Sequence, residues 1–411
     1  MNVFRTLDAQ LRRNLLILFS AGLLFWSSLA SLLPTLPLYI QDVGATKQQI
    51  GLVMGCFAIG LLLFRSLVGR LADQHSRKIV LLIGMAVAAI APLGYLMVQS
   101  IPLLMVIRAF HGISIAAFTT GYSALVADIA PAQKRGEVIG YMSLVNPVGM
   151  AVGPALGGFL QAGVGYTALF LLSSGLGLIG LLCTSQIVNP PTYTTRKGDA
   201  IPYQFWRLLA SPRIRALSLV LLMVGLAFGA LSTFAPLFIK ETGVDLNPGL
   251  FYTAAAIASF SVRLITGRAS DRYGRGLFVT ASLVLYTLAM LMLWTANSAV
   301  TFLLAAAIEG TGAGILIPMI AAMLADRSLP QERGRLFGLS MIGFDVGIAI
   351  AGPVIGSVAE QVGYRNIFGF ASGLTFLAII IFLTQSSKDL PHSLRFALGR
   401  GRDVYALNNG S

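Results

Sequence analysis

Four residues carry ionisable chemistry into apolar sequence that offers them no water: Arg108, His111, Glu309 and Asp345. An ionised side chain at the centre of a bilayer costs on the order of 3 kcal/mol on insertion scales, so each must face a cavity, find a partner or hold a proton. Arg108, His111 and Gly112 share one helical face at i, i+3 and i+4. His111 reads either as a proton or substrate contact or as a neutral ring hydrogen-bonded between helices. The two acids likewise read as proton carriers or as hydrogen-bond partners across helices. A helix shift that changes a carboxyl group's neighbours loads or releases a proton.

The elements that must position these groups are membrane spans. The chain has 411 residues, 56% hydrophobic and 11% charged, with a mean hydropathy of +0.80, far from the composition of a soluble domain. Apolar runs from Leu15 to Ile40, Ile50 to Leu71, Ile79 to Val98 and Ile101 to Val126 are each long enough to cross the hydrocarbon as a helix. Eight more follow near 137–160, 165–187, 216–239, 249–267, 277–296, 299–325, 336–358 and 364–384. Twelve spans are therefore expected.

The net charge of +13 raises the question of nucleic acid, and the positions of the charges answer it. With a cytoplasmic N-terminus, three basic residues lie in spans (Arg65, Arg108, Arg263) and three outside (Lys47, Lys240, Arg365). The remaining 23 of 29 fall on the cytoplasmic side. This positive-inside bias puts both termini in the cytoplasm of an inner-membrane protein and makes the basic excess a topology signal. Contact of these loops with anionic lipid is compatible with it. Cys56 and Cys183 fall inside spans, so no disulfide framework is implied. The polar start MNVFRTLDAQLRRN and the long first run suit a retained helix rather than a signal peptide.

Sliding the chain on itself by 198 residues superposes its punctuation. Gly69, Arg70, Asp73 and Arg77 meet Gly267, Arg268, Asp271 and Arg275; Arg65 meets Arg263, and Gly112 meets Gly310. ALVAD, ending at Asp128, meets AMLAD, ending at Asp326; both following loops end in Arg-Gly, at Arg135 and Arg333. After a one-residue insertion, Asn146 meets Asp345 and Gly153-Pro154 meets Gly352-Pro353. The copies occupy 1–188 and 214–388, joined by a polar Pro- and Gly-broken linker at 189–213 and followed by a tail at 389–411. Two parallel six-span copies bring a binding site to their interface near midplane.

The loop GRLADQHSRK (69–78) and its copy GRASDRYGRG (267–276) combine a glycine that permits close helix approach with charges able to pair. In the fifth span, Gly149, Gly153 and Gly157 recur every four residues and present a smooth face to a partner helix, and Pro154 frees a carbonyl. Arg65 and Arg263 lie near helix ends, where snorkelling accounts for them. Trp26 and Tyr122 are candidates for an aromatic cavity lining, against the alternative of lipid or packing contacts. The sequence has no Walker motif, no metal-ligand spacing and no catalytic triad, so neither enzyme chemistry nor ATP-driven pumping is expected.

The two loops resemble the cytoplasmic signature of the major facilitator superfamily. Arg108 followed by Gly112 resembles its second motif, with His111 where a glutamine is common. Gly140 to Gly158 resembles the motif that marks its drug and metabolite antiporters. The resemblance implies an all-α membrane protein of twelve helices in two homologous six-helix bundles, in which helices one, four, seven and ten line a central cavity. It makes Glu309 the first choice and Asp345 the second for the coupling carboxylate, with Arg108 and His111 nearby. It also implies a conformational latch of Gly69, Asp73, Arg77 and Asp128 with Gly267, Asp271 and Arg275. Ser76 departs from the usual glycine of the loop. Gly140, Gly149, Gly153, Pro154, Gly157 and Gly158 would form the antiporter segment, degraded in the second copy by Ile348.

The function implied is proton-coupled antiport of a small organic molecule, drug-like or a metabolite, by a functional monomer. The energy source is the proton gradient, and no cofactor, metal or nucleic acid is called for. A proton symporter importing a sugar or organic acid is the alternative within transport. A non-transporting receptor or assembly factor is the alternative outside it.

Overall fold

The computed structural model describes residues 7–131, 134–188, 210–328 and 333–407, and all regular structure among them is helical. A backbone in hydrocarbon must satisfy its own donors and acceptors, which selects helices from apolar runs of this length. The helices are α1 (Ala9–Ser31), α2 (Leu36–Asp42), α3 (Lys47–Gln74), α4 (Arg77–Met97), α5 (Ile101–Ile129), α6 (Arg135–Met142), α7 (Val145–Val164) and α8 (Tyr166–Ser185). They continue as α9 (Arg215–Thr242), α10 (Pro248–Tyr273), α11 (Arg275–Thr295), α12 (Ala299–Asp326), α13 (Arg333–Gln385) and α14 (Leu390–Ala397). Local chemistry marks several ends. The Asp8 carboxylate accepts from the Gln10 amide at the start of α1, and Ser298 with Thr301 forms a reciprocal cap on α12.

Eleven helical segments among the described residues are long and apolar enough to span a bilayer. The last of them, Leu336–Gln385, accounts for the difference from twelve. The 53 residues of α13 would reach about 80 Å as one rod, more than twice the hydrocarbon thickness. Its helical geometry breaks at Gly363, with φ 79° and ψ 168°. Gly165, 198 residues earlier, holds φ 100° and ψ −179° where α7 ends and α8 begins. Each glycine is followed by a tyrosine, Tyr166 or Tyr364. Only glycine takes this backbone conformation without strain, so both copies turn the chain at the same place with the same residue.

Contacts divide the chain into two units. One comprises Met1–Ala45, Leu52–Gly198 and Asn247–Thr253; the other comprises Thr46–Gly51, Asp199–Leu246 and Ala254–Ser411. In the first, α1 packs on α7 and α8, and α4 on α5 and α8. In the second, α9 packs on α13, and α11 on α12 and α13, which is the same scheme moved by one repeat. Of the expected linker at 189–213, residues 189–209 lie outside those described.

The expected tail is folded onto the second unit. The Arg327 side chain is wholly buried. Its Nε donates to the Asp403 carboxylate at 2.7 Å, Nη1 to the Arg213 carbonyl at 2.8 Å and Nη2 to the Ser386 carbonyl at 2.9 Å. The Leu407 amide donates to the Asp326 carbonyl, and the Thr280 hydroxyl to the Ala397 carbonyl. The two copies differ here for a visible reason. Lys78 in the first copy caps the Ser185 and Ile187 carbonyls beyond α8. Its counterpart Gly276 has no side chain, and a Cβ there would overlap the Phe396 carbonyl of the tail.

Candidate functional site

Arg108 and His111 lie in a buried cluster of the first unit and Glu309 in a buried cluster of the second. In the first, α5 meets α3 so closely that a Cβ on Gly112 would overlap the Phe57 carbonyl oxygen. That approach seats His111 beside Phe57 edge to face, with ring centroids 5.6 Å apart. His111 is fully buried; its Nδ1 lies 3.1 Å from the Tyr95 hydroxyl, and its Nε2 has no hydrogen-bond partner. The Arg108 guanidinium stacks over Phe57 at 4.3 Å and shares Tyr95 as a hydrogen-bond partner, leaving Nε unpartnered. Tyr39 completes the layer by donating to the Tyr95 carbonyl at 2.8 Å.

In the second unit the same helix approach recurs, with Gly310 on α12 against the Ala255 carbonyl of α10. Beside it Glu309 is 4% exposed. Its side chain is hydrogen-bonded to Tyr286 of α11, and its Oε1 has no partner. Arg263 acts electrostatically on Tyr286, so this residue, assigned by sequence to snorkelling alone, is also close to the acid's neighbour. Asp345 is 9% exposed on α13, between Gly343 and Gly347, which pack on the α9 backbone. Each cluster is built from the local contact of that copy's second and fourth spans.

The close glycine contacts carry a direct prediction. Gly112→Ala or Gly310→Ala forces a backbone shift and lowers thermal stability by about 1–3 kcal/mol. Gly69→Ala and Gly267→Ala leave it unchanged or raise it by about 0.5–1 kcal/mol, since a Cβ at either meets nothing within 4 Å. Thermal unfolding of the four purified variants separates the two pairs. Among the described residues, therefore, the close approach expected at Gly69 and Gly267 is not found, and the tight contacts lie elsewhere on the helices.

At the start of α4, Arg77 Nη1 donates to the Ala124 carbonyl at 3.0 Å and the guanidinium is ion-paired with Asp128. Arg275 makes the equivalent contacts to the Ala322 carbonyl and Asp326. In each copy the arginine closes the last turns of the following span, where a cation complements exposed carbonyls. Asp326, the counterpart of Asp128, joins the candidate latch on this geometry. The side chains of Asp73 and Asp271 lie outside those described.

In the antiporter segment, Gly149, Gly153 and Gly157 line the seam of α7 with α1, against Trp26, Ser27, Ala30 and Ser31. Gly158 packs instead on Asn247 and Gly249, and Gly249 on the Pro154 carbonyl. The repeat-equivalent pair in the other unit is Gly51 against the Gly352 carbonyl. Gly140 has open space around it and takes no part in the seam. Tyr122 packs in the core: it is buried, stacks on Phe118, and donates its hydroxyl to the Met142 carbonyl at 2.9 Å. Trp26 packs partly buried against the same core.

These features can be set beside known proteins. The family model described as Major Facilitator Superfamily matches residues 18–269 and 245–401. The multi-drug resistance efflux pump PmrA of Streptococcus pneumoniae is 26% identical over 368 residues, which cover 86% of this chain and 91% of the relative. The quinolone resistance protein NorA of Staphylococcus aureus is 23% identical over 387 residues, covering 91% and 97%. Among solved structures, the nucleoside transporter NupG superposes with a TM-score of 0.71 at 17% identity, covering 90% of this chain and 99% of that one. A bacterial homologue of the human lysosomal transporter Spinster, in an inward-facing and unoccupied conformation, gives 0.69 at 17% identity, covering 92% and 98%. The structural likenesses establish the fold.

Proposed function

Because the chain belongs to the Major Facilitator Superfamily, we propose that it is a twelve-helix secondary transporter that exports small organic molecules in exchange for protons. The observation that carries this proposal is Glu309, a buried carboxyl group in an apolar helix with one oxygen unpartnered and Tyr286 beside it. A buried charge without a paired cation is costly, whereas a carboxyl group that exchanges a proton as its site opens and closes is not. Glu309 carries its proton while enclosed and releases it when the halves rock and admit water, and substrate competes for the vacated site. Similarity to an efflux pump and a quinolone resistance protein supports export and the small-molecule class. Proton entry contributes about 2.3 kcal/mol per 100 mV of membrane potential, in addition to the pH difference.

The Arg77–Asp128 and Arg275–Asp326 pairs bias the two access states. Both are partly exposed to solvent, where such pairs are worth about 0.2–1 kcal/mol, too little to matter for folding and enough to shift populations about fivefold at most. Asp326→Asn and Asp128→Asn therefore change the ratio of access states, read by cysteine accessibility, with no loss of thermal stability.

One observation favours symport of an organic acid: Arg108, with an unpartnered Nε beside His111, offers a cation to an anionic ligand. Direction of flux decides. In inverted vesicles with an acid interior, export predicts that substrate accumulates inside as the pH gradient collapses. Uptake into whole cells coupled to proton entry supports symport, and the absence of any coupled flux supports a receptor role.

A further inference from the structure

We propose that the tail helix α14 is a docking surface for anionic phospholipid, held at the membrane surface by the Arg327–Asp403 pair. The helix has three faces. Ser393, Phe396 and Ala397 are buried on the second unit. Leu390, Leu394 and Leu398, spaced four apart and so in one stripe, are 51%, 37% and 47% exposed. His392 and Arg395 are exposed on the remaining side.

Three facts identify what covers the leucine stripe. The helix begins five residues after α13 ends at Gln385, and α13 itself exposes Phe376, Leu377 and Ile380, so the stripe follows closely in the chain on a span whose outer side is suited to acyl chains. Lys388, Arg395, Arg400 and Arg402 are all exposed around it. Of the two acids on 386–407, Asp403 is engaged by Arg327 and Asp389 accepts from the His392 amide at the start of the helix. An amphipathic helix with leucines on one side and cations beside them lies in the interface of an anionic bilayer. The pinned backbone matters because eight residues are too few to hold a helix unaided. Arg327, Ser387 and Thr280 supply the fixed points through Asp403, the Ser393 hydroxyl and the Ala397 carbonyl.

The test uses the full chain carrying Cys56→Ser and Cys183→Ser, with a fluorophore on Leu394→Cys, in nanodiscs containing phosphatidylglycerol or phosphatidylcholine brominated on the acyl chains. The docking surface predicts quenching at 394 at least twofold stronger with brominated phosphatidylglycerol, and weak quenching of the same label on His392→Cys. Arg395→Gln, Arg400→Gln and Arg402→Gln together bring the phosphatidylglycerol value down to the phosphatidylcholine value. Each arginine near the surface contributes about fivefold to local enrichment of anionic lipid, which leaves ample range for that loss. Thermal stability of the triple variant stays at the parent value, because Arg327 and Asp403 are untouched. No quenching at 394, equal quenching by the two lipids in the parent, equal quenching at 392 and 394, or an undiminished preference in the triple variant each overturns the proposal.

Discussion

Glu309→Gln abolishes proton-driven accumulation of substrate while leaving the protein folded. With an imposed difference of about two pH units and one proton exchanged per substrate, the gradient supports an accumulation ratio of about 100, since each pH unit is worth about 1.4 kcal/mol. Glutamine keeps the size of the side chain and an oxygen for Tyr286, so the packing of α12 on α10 and α11 survives. It cannot exchange a proton, and the ratio falls to about 1. Downhill movement of substrate persists, because alternating access itself needs no charge at this position. Proteoliposome flux with and without the gradient separates the two effects. A variant that still accumulates substrate tenfold or more shows that the proton is carried elsewhere, with Asp345 the next residue to replace.

Asp403→Ala has the largest expected effect on stability. Among the described residues it leaves the wholly buried Arg327 guanidinium with neutral carbonyl acceptors alone, from Arg213 and Ser386. Removing one member of a buried pair costs about 3–5 kcal/mol, and the retained carbonyls put this case at the lower end. Thermal unfolding falls accordingly, and residues 390–407 become sensitive to protease. Replacing both partners, Arg327→Met with Asp403→Leu, recovers most of the loss, since an apolar pair of similar volume leaves no buried charge behind. An unchanged unfolding temperature for Asp403→Ala means that the pair does not hold the tail.

The fold was legible because bilayer constraints write it in plain terms: long uncharged runs, basic loops and a repeat of 198 residues. The count of segments needed Gly363, whose role is visible only beside Gly165 in the other copy. The ionisable residues of the site were legible too, since Arg108, His111 and Glu309 stand out in apolar sequence. Their partners were not. Tyr95 and Tyr286 come from neighbouring helices, and a lone tyrosine in a span carries no pattern that tells a hydrogen-bond partner from a packing residue. Tyr122 and Trp26 illustrate the same ambiguity in reverse, the first packed in the core and the second partly buried against it. Asp326 was available from symmetry with Asp128, and Arg327 was hidden because an arginine at the end of a span is ordinarily a solvated topology marker. The exchange of Lys78 for Gly276 was the one sequence signal that something other than a side chain covers that end of the second copy.

The most direct test of Glu309 as the exchanged proton's carrier is proton release on substrate binding. Purified protein in weakly buffered detergent, mixed with a small organic substrate identified by proteoliposome flux beside a pH indicator, releases about one proton per substrate bound, and Glu309→Gln binds the same substrate and releases none. Binding without release in the parent, or release unchanged in Glu309→Gln, contradicts the account.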